Sequence, residues 1–497
     1  MISLNDIKNI GFNGVITNAY LLWKKLSKSI VDIHKHLEFD GVVMTDSGAY
    51  QILRYGDIEV SNREIVKYQC SIGSDIGVIL DVPTPYIIDR EIALKSAEIT
   101  LQRGIEVSDI IEHCKDTLWV LPIQGGVFLD ILKSYAKRST EICGYGYNIY
   151  ALGSPTTLLE NYMFDNMIEM IFTVRSSIEP SKPLHLFGAG HPLIMPFAIA
   201  IGVDLMDSAS YILYARDRRY MTRRGTYKLN ELNYLPCSCP ICSRYTKEEL
   251  MKMPTEELVK SLALHNLYTL YLELKEVKES IREGRLWEYL EEKSRTHPAA
   301  RRAFETLKKY LEFIYKRTPY EKPRGKGLFI VSEEDSAYNP KIMIPRRKIL
   351  DEIVPEKKCL IFIPLIQRYE VEYVEQTIKR FLTMVGRKLK YGSEKCSLYF
   401  YHPVLGVIPY LLVNVYPFSQ FETYNKYSYQ SIKTLVYILI EYLLKALRRL
   451  KCDKVIIFIH RKIEWQKTFE KIIKNYIDYI RVKGMYMEII DIDVMVI

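Results

Sequence analysis

Val42-Val43-Met44-Thr45-Asp46-Ser47-Gly48 sets the pattern for the first half of the chain: a short apolar run that ends in a carboxylate, followed by a glycine. Five further short apolar runs likewise end in a polar residue or a glycine. They are Gly77-Val78-Ile79-Leu80-Asp81, Trp119-Val120-Leu121-Pro122-Ile123-Gln124, Ile149-Tyr150-Ala151-Leu152-Gly153, Leu184-His185-Leu186-Phe187-Gly188 and Val203-Asp204-Leu205-Met206-Asp207. Amphipathic stretches such as Asp89 to His113 and Pro155 to Ser177 lie between them. Apolar runs alternating with helical patterns predict a parallel sheet covered by helices. Six or more such units fit an α/β chain with a (β/α)8 TIM barrel, with an open doubly wound sheet as the alternative. A barrel carries its active site at the C-terminal ends of its strands. Here those ends are Asp46, Asp81, Gln124, Gly153, Gly188 and Asp207. Polar residues end strands in any fold, so the pattern points to a site without proving one.

Outward from these runs the chain changes character. Residues 231–330 hold a cysteine cluster and long charged helical patterns, Thr255 to Glu279 and Pro298 to Tyr315. Two prolines, a glycine and several basic residues between Lys316 and Lys326 mark a boundary. Strand-like runs return at Cys359 to Pro364, Ser397 to Tyr401, Lys454 to His460 and Met487 to Val494, with helical patterns near 371–384, 431–450 and 464–480. The expected organisation is a catalytic barrel over 1–320 with a zinc-binding insertion at 237–265, a linker or small subdomain over 321–356, and a smaller basic α/β domain over 357–497.

At 497 residues the chain exceeds what one hydrophobic core supports. Its net charge of +9 is uneven: residues 331–497 carry 27 Lys+Arg against 19 Asp+Glu, which is eight of the nine positive charges. A basic surface that meets RNA and a solvated lysine-rich surface both fit this balance. The N-terminus lacks a charged-then-apolar signal. The longest apolar helical pattern, Ser431 to Leu450, is broken by Lys433, Glu441 and Lys445 and is unsuited to a membrane. A cytoplasmic protein is expected. Nine cysteines, six of them scattered, fit a reducing compartment and a metal site better than a disulfide framework.

The three remaining cysteines form Cys237-x-Cys239-x2-Cys242, with His265 downstream on a helical pattern. Three thiolates and an imidazole make a closed tetrahedral shell for one structural Zn2+. Spacing alone leaves the fourth ligand open to a water or another histidine. Asp46 and Asp207, if both project from the rim of one barrel, suit a nucleophile and a general acid/base at a glycosidic carbon. Each alone would read as a helix cap. Asp81, Gln124 and Gly153 form a second set, able to read the edge of a guanine-like base. Tyr50 offers a stacking face, and Ser47 and Gly48 flank the first carboxylate. The run Arg216-Asp217-Arg218-Arg219 to Arg224 suits phosphates or solvent.

Taken together, Thr45-Asp46-Ser47-Gly48-Ala49-Tyr50-Gln51, Gln124-Gly125-Gly126, Leu205-Met206-Asp207-Ser208-Ala209 and the Cys237/Cys239/Cys242/His265 set resemble the tRNA-guanine transglycosylase family, its archaeal branch in particular, over roughly the first 320 residues. The resemblance implies a pentosyltransferase that cuts the glycosidic bond of guanine 15 in the D-arm of tRNA and installs 7-cyano-7-deazaguanine, on the path to archaeosine. It implies that Asp207 attacks the ribose C1′ and that Asp46 handles the proton of the incoming base, although either aspartate can be argued as the nucleophile. Asp81, Gln124, Gly153 and Ser154 would hold the base and Tyr50 would stack on it. Dimers are common in the family. Archaeal-type members often end in a PUA module, which finds no room here; the expectation is that a separate PUA-domain protein supplies it or that none is needed. A catalytically altered paralogue, a tRNA-binding scaffold and a barrel glycosidase are the rivals. Intact Asp46 and Asp207 favour the transglycosylase over the first, intact Asp81 and Gln124 over the second, and the zinc loop and basic tail over the third.

Overall fold

Seven parallel strands succeed one another in chain order: β1 (Gly14–Asn18), β2 (Val42–Asp46), β3 (Ile76–Val78), β4 (Leu118–Ile123), β5 (Tyr147–Leu152), β6 (Leu184–Leu186) and β7 (Leu205–Met206). The computed structural model describes all residues except 1, 50, 52–58, 86–88, 319–325, 353–356, 366–395, 425, 451–453 and 492–497. Each strand hydrogen-bonds only to its sequence neighbours, so the order never reverses as it does in a doubly wound sheet. The result is a TIM-barrel-like fold with seven rather than eight strands among the described residues. Six of the seven coincide with the apolar runs. β1 escapes sequence reading because only Val15 and Ile16 are strongly apolar within it.

Local chemistry fixes these elements. Ser61 and Glu64 form a reciprocal capping box at the start of helix Asn62–Ser71, and Asp89 caps helix Arg90–Glu106 through the N–H groups of Glu91 and Ile92. Met44, Val78, Val120, Ile149 and Ala151 build one buried apolar layer with Ile16, Ile76 and Phe187 packed against it, the interior of the barrel-like sheet. Gln69 reaches in from the helical side and bonds both Val78 backbone groups, while Thr45 Oγ1 donates to its Oε1 at 2.8 Å. That bridge joins β2 to β3, whose own register covers only two residue pairs.

The chain forms two compact units, Met1–Glu279 with Glu292–Ile314, and Ser280–Glu291 with Tyr315–Ile497. In the second, β10 (Leu328–Ile330) pairs with β14 (Phe421–Thr423). A five-stranded sheet has the order β13 (Gly406–Pro409), β12 (Cys396–His402), β11 (Cys359–Pro364), β15 (Lys454–Ile459), β16 (Tyr486–Asp491), with only β13 antiparallel. Helix Tyr429–Leu450 buries Ile432, Leu435, Val436, Leu439, Tyr442, Leu443 and Ala446 at helical spacing against this core. Part of the stretch expected as a linker belongs to the same core through Leu328, Ile330, Ile342 and Ile349. The helical pattern near 371–384 lies outside the described residues. Among those described, no helix is long and apolar enough to cross a membrane.

The cysteines require one correction. Cys70 is bonded to Cys114 and Cys359 to Cys396, so the scattered cysteines do include disulfides. The fold itself makes these pairs. Cys359 and Cys396 are register partners at the starts of β11 and β12, with Cα atoms 4.5 Å apart. Separations of 44 and 37 residues hide both pairs from any reading of spacing.

Candidate active site and metal centre

Asp46 ends β2 beside Asn18, its register partner at the end of β1. Asn18 Nδ2 donates to Asp46 Oδ2 at 3.2 Å and to Gln51 Oε1 at 3.1 Å, and the Gly48 N–H donates to the same Asp46 oxygen at 3.3 Å. Gly48 has φ +93°, and a Cβ there would lie 2.5 Å from Tyr20 Cβ, so only glycine fits this turn. Burial pushes the Asp46 carboxyl up to about 7; the charge of Asp81 adds to the rise, the Gly48 N–H opposes it, and Asp207 adds a smaller push. Strand ends 161 residues apart in sequence thus feel one another electrostatically.

Asp207 follows β7, with its side chain 22% exposed. Its Oδ1 accepts from His185 Nε2 at 3.0 Å and from the Gly188 N–H at 2.9 Å. The Gly190 N–H donates to the Asp207 carbonyl at 3.0 Å and fixes the backbone that carries it.

Asp81 and Gln124 are buried and joined, Gln124 Nε2 donating to Asp81 Oδ2 at 2.6 Å. Gln124 Oε1 accepts from the Thr84 N–H at 3.2 Å, from Thr84 Oγ1 at 3.3 Å and from Ser154 Oγ at 3.0 Å. Burial raises the Asp81 carboxyl to about 6 against the opposing Gln124 hydrogen bond. Gly153 lies against this pair: a Cβ there would meet Gln124 Nε2 at 2.1 Å. Ser154 takes a left-handed φ of 62°, uncommon for a non-glycine residue. Ser47 Oγ is buried with no hydrogen-bond partner among the described residues. Thr84, Pro85, Phe128, Ser154 and Leu158 line a cavity beside the group. Tyr50 lies outside the described residues.

The raised Asp46 value has a consequence for stability. Held above its unfolded value of about 3.9, the carboxyl costs the fold nothing below that pH and progressively more as pH climbs through about 7. Asp46→Asn should therefore melt like wild type at pH 4 and at a higher temperature at pH 8. Identical melting curves for the two proteins at pH 8 would contradict it.

A candidate metal centre is built by a hairpin, a loop and a helix. Ligand atoms of Cys237, Cys239, Cys242 and His265 all lie within 4.8 Å of one another. His265 Nδ1 is 3.5 Å from Cys239 Sγ and 3.4 Å from Cys242 Sγ. Its other nitrogen, Nε2, donates to the Met221 carbonyl at 2.8 Å, which leaves the Nδ1 lone pair facing the sulfurs. Tyr220, on β8 (Arg219–Thr222), stacks on His265 at 3.7 Å and places its hydroxyl 3.2 Å from Cys242 Sγ. β8 pairs antiparallel with β9 (Gly225–Lys228). Three soft thiolates and an oriented imidazole suit a tetrahedral divalent metal.

Part of the basic run is neutralised internally. Arg219 pairs with Asp217 at 2.6 Å, and Arg223 with Glu273 and Glu276. Arg216, Arg218 and Arg224 are exposed. Sequence reasoning passed over Asn18, Thr84 and His185. Asn18 and His185 carry a faint signal, a polar side chain within or ending an apolar strand. Thr84 carries none.

A barrel-like α/β enzyme with carboxylates gathered at one end of its strands is the class these features define. Residues 1–299 match the TGT family, described as queuine tRNA-ribosyltransferase. The chain belongs to this family of transferases. It is 45% identical over 428 residues to the tRNA-guanine(15) transglycosylase of Saccharolobus solfataricus, covering 86% of this chain and 83% of that one. Identity to the protein of the same name from Pyrobaculum aerophilum is 44% over 414 residues, 83% and 80% of the two chains. For Thermococcus kodakarensis it is 38% over 426 residues, 85% of this chain and 65% of the relative.

Proposed function

We propose that this protein exchanges guanine 15 of tRNA for 7-cyano-7-deazaguanine through a covalent bond between Asp207 and the ribose. The carrying observation is the pairing at the strand ends: an oriented, partly exposed Asp207 within electrostatic reach of an Asp46 carboxyl raised to about 7. Asp207 attacks C1′, the C1′–N bond breaks, and the electron pair leaves on the departing base, which takes a proton from Asp46. The entering base returns a proton to Asp46 as its nitrogen displaces Asp207. Two displacements replace one difficult step, so one pocket serves both bases. Asp81, Gln124, Gly153 and Ser154 hold the base edge, beside Ser47 and Gly48, with Tyr50 stacking. Names of the relatives from S. solfataricus and P. aerophilum support position 15.

In this reading Cys237, Cys239, Cys242 and His265 hold one structural Zn2+, with no ligand position left for chemistry. The basic second unit meets the tRNA backbone, and the protein works in the cytoplasm, where tRNA is. A second copy of the chain and a PUA-domain protein are the partners suggested by resemblance.

The test is exchange of labelled guanine into tRNA, beside a tRNA with another base at position 15. Label should enter only the first, and unlabelled 7-cyano-7-deazaguanine should chase it out. A protein that binds tRNA and incorporates nothing would instead be a scaffold.

A further inference from the structure

His185 stands in the middle of β6, between the fully buried Leu184 and Leu186. Its register partner on β5 is Ala151, a member of the interior apolar layer. The imidazole is therefore inside the barrel-like sheet, with 4% of its side chain exposed and its ring 4.7 Å from that of Phe187. An apolar residue would fill this place at no polar cost, yet a histidine occupies it. Nε2 lies 3.0 Å from Asp207 Oδ1, while Nδ1 is buried with no partner among the described residues. A carboxylate oxygen only accepts, so Nε2 carries the hydrogen.

The two oxygens of Asp207 are consequently unlike. Oδ1 takes two donors, His185 Nε2–H and the Gly188 N–H, and among the described residues no hydrogen bond is made by Oδ2. A carboxylate turns easily about its terminal torsion, and two donors on one oxygen stop that rotation. We infer that His185 is a positioning residue: it ties Oδ1 and leaves Oδ2 as the oxygen that bonds to C1′. The inference rests on the reading of Asp207 as nucleophile. As the Oδ2–C1′ bond forms and the glycosidic bond breaks, the negative charge leaves with the base and is met by the Asp46 proton.

The experiment uses the full chain, tRNA and labelled guanine, reading kcat, KM for tRNA, and the rate of a covalent protein–tRNA adduct on denaturing gels. His185→Leu is expected to lower kcat and adduct formation roughly 100-fold, the cost of a misplaced reacting group, with KM for tRNA unchanged. His185→Gln, which offers an amide N–H at similar reach, should recover most of that loss. If His185→Leu fails to fold, His185→Met, closer in volume, carries the comparison. Wild-type kcat in a folded apolar variant would overturn the inference, as would equal losses in the Gln and apolar variants with unchanged melting. Asp207→Ala separates the two ideas: an adduct that persists in that variant removes the nucleophile reading, and this inference falls with it. An adduct lost there but formed normally in His185→Leu removes this inference alone.

Discussion

Asp207→Asn is expected to stop base exchange, lowering turnover by about 10⁴-fold or more while tRNA still binds. The substitution is nearly isosteric. Its amide oxygen can still accept from His185 Nε2 and the Gly188 N–H, so the strand end keeps its shape. What disappears is the charged oxygen able to bond to C1′, and no neighbouring group replaces it: Asp46 is held by Asn18 and Gly48, and Asp81 by Gln124. Single-turnover release of labelled guanine, with tRNA affinity measured in parallel, checks this. Turnover within tenfold of wild type would move the nucleophile to Asp46 or dispense with a covalent step.

Loss of the metal centre should have the second largest effect, on stability first. Cys242→Ser, or prolonged chelation of the wild type, is expected to remove one zinc per chain and lower the melting temperature by on the order of 10 °C. The packing around the cluster is modest. Tyr220, Leu229, Leu250, Leu258 and Leu262 form a small core of their own, with Cys237 and Cys242 among the residues that close it. Tyr220 and Met221 are also tied to the centre through the Cys242 thiol and His265 Nε2. Removing the metal therefore loosens β8, only 12 residues after Asp207 at its first residue. Metal content by emission spectroscopy and melting by calorimetry decide it. Full zinc occupancy and wild-type melting in Cys242→Ser would exclude that thiol as a ligand.

The strands that carry the polar ends could be read because each one is a compact apolar run closed by a single polar residue. Cys237, Cys239, Cys242 and His265 were legible because ligand spacing is a local property. What could not be read depends on register. Asn18 matters only because β1 lies beside β2, and His185 only because β6 lies beside β7. Thr84 becomes a partner of Gln124 across 40 residues of chain. The disulfides fail for the same reason, since a spacing of 37 or 44 says nothing until the sheet or the helices bring the sulfurs together. Ser280–Glu291 joins the second unit although helix Thr255–Glu283 begins in the first, a switch that continuous helical periodicity conceals.

At rest, the Gln124 amide is engaged by its neighbours: Nε2 gives a hydrogen to Asp81, and Oε1 takes others from Thr84 and Ser154. A base held as proposed would pull this handshake apart and have to offer replacements of its own. A visitor without a matching edge would strand buried groups at roughly 1–3 kcal/mol apiece. Discrimination can thus happen at the threshold, through the side chains' prior engagement with one another, before any bond to sugar is at stake.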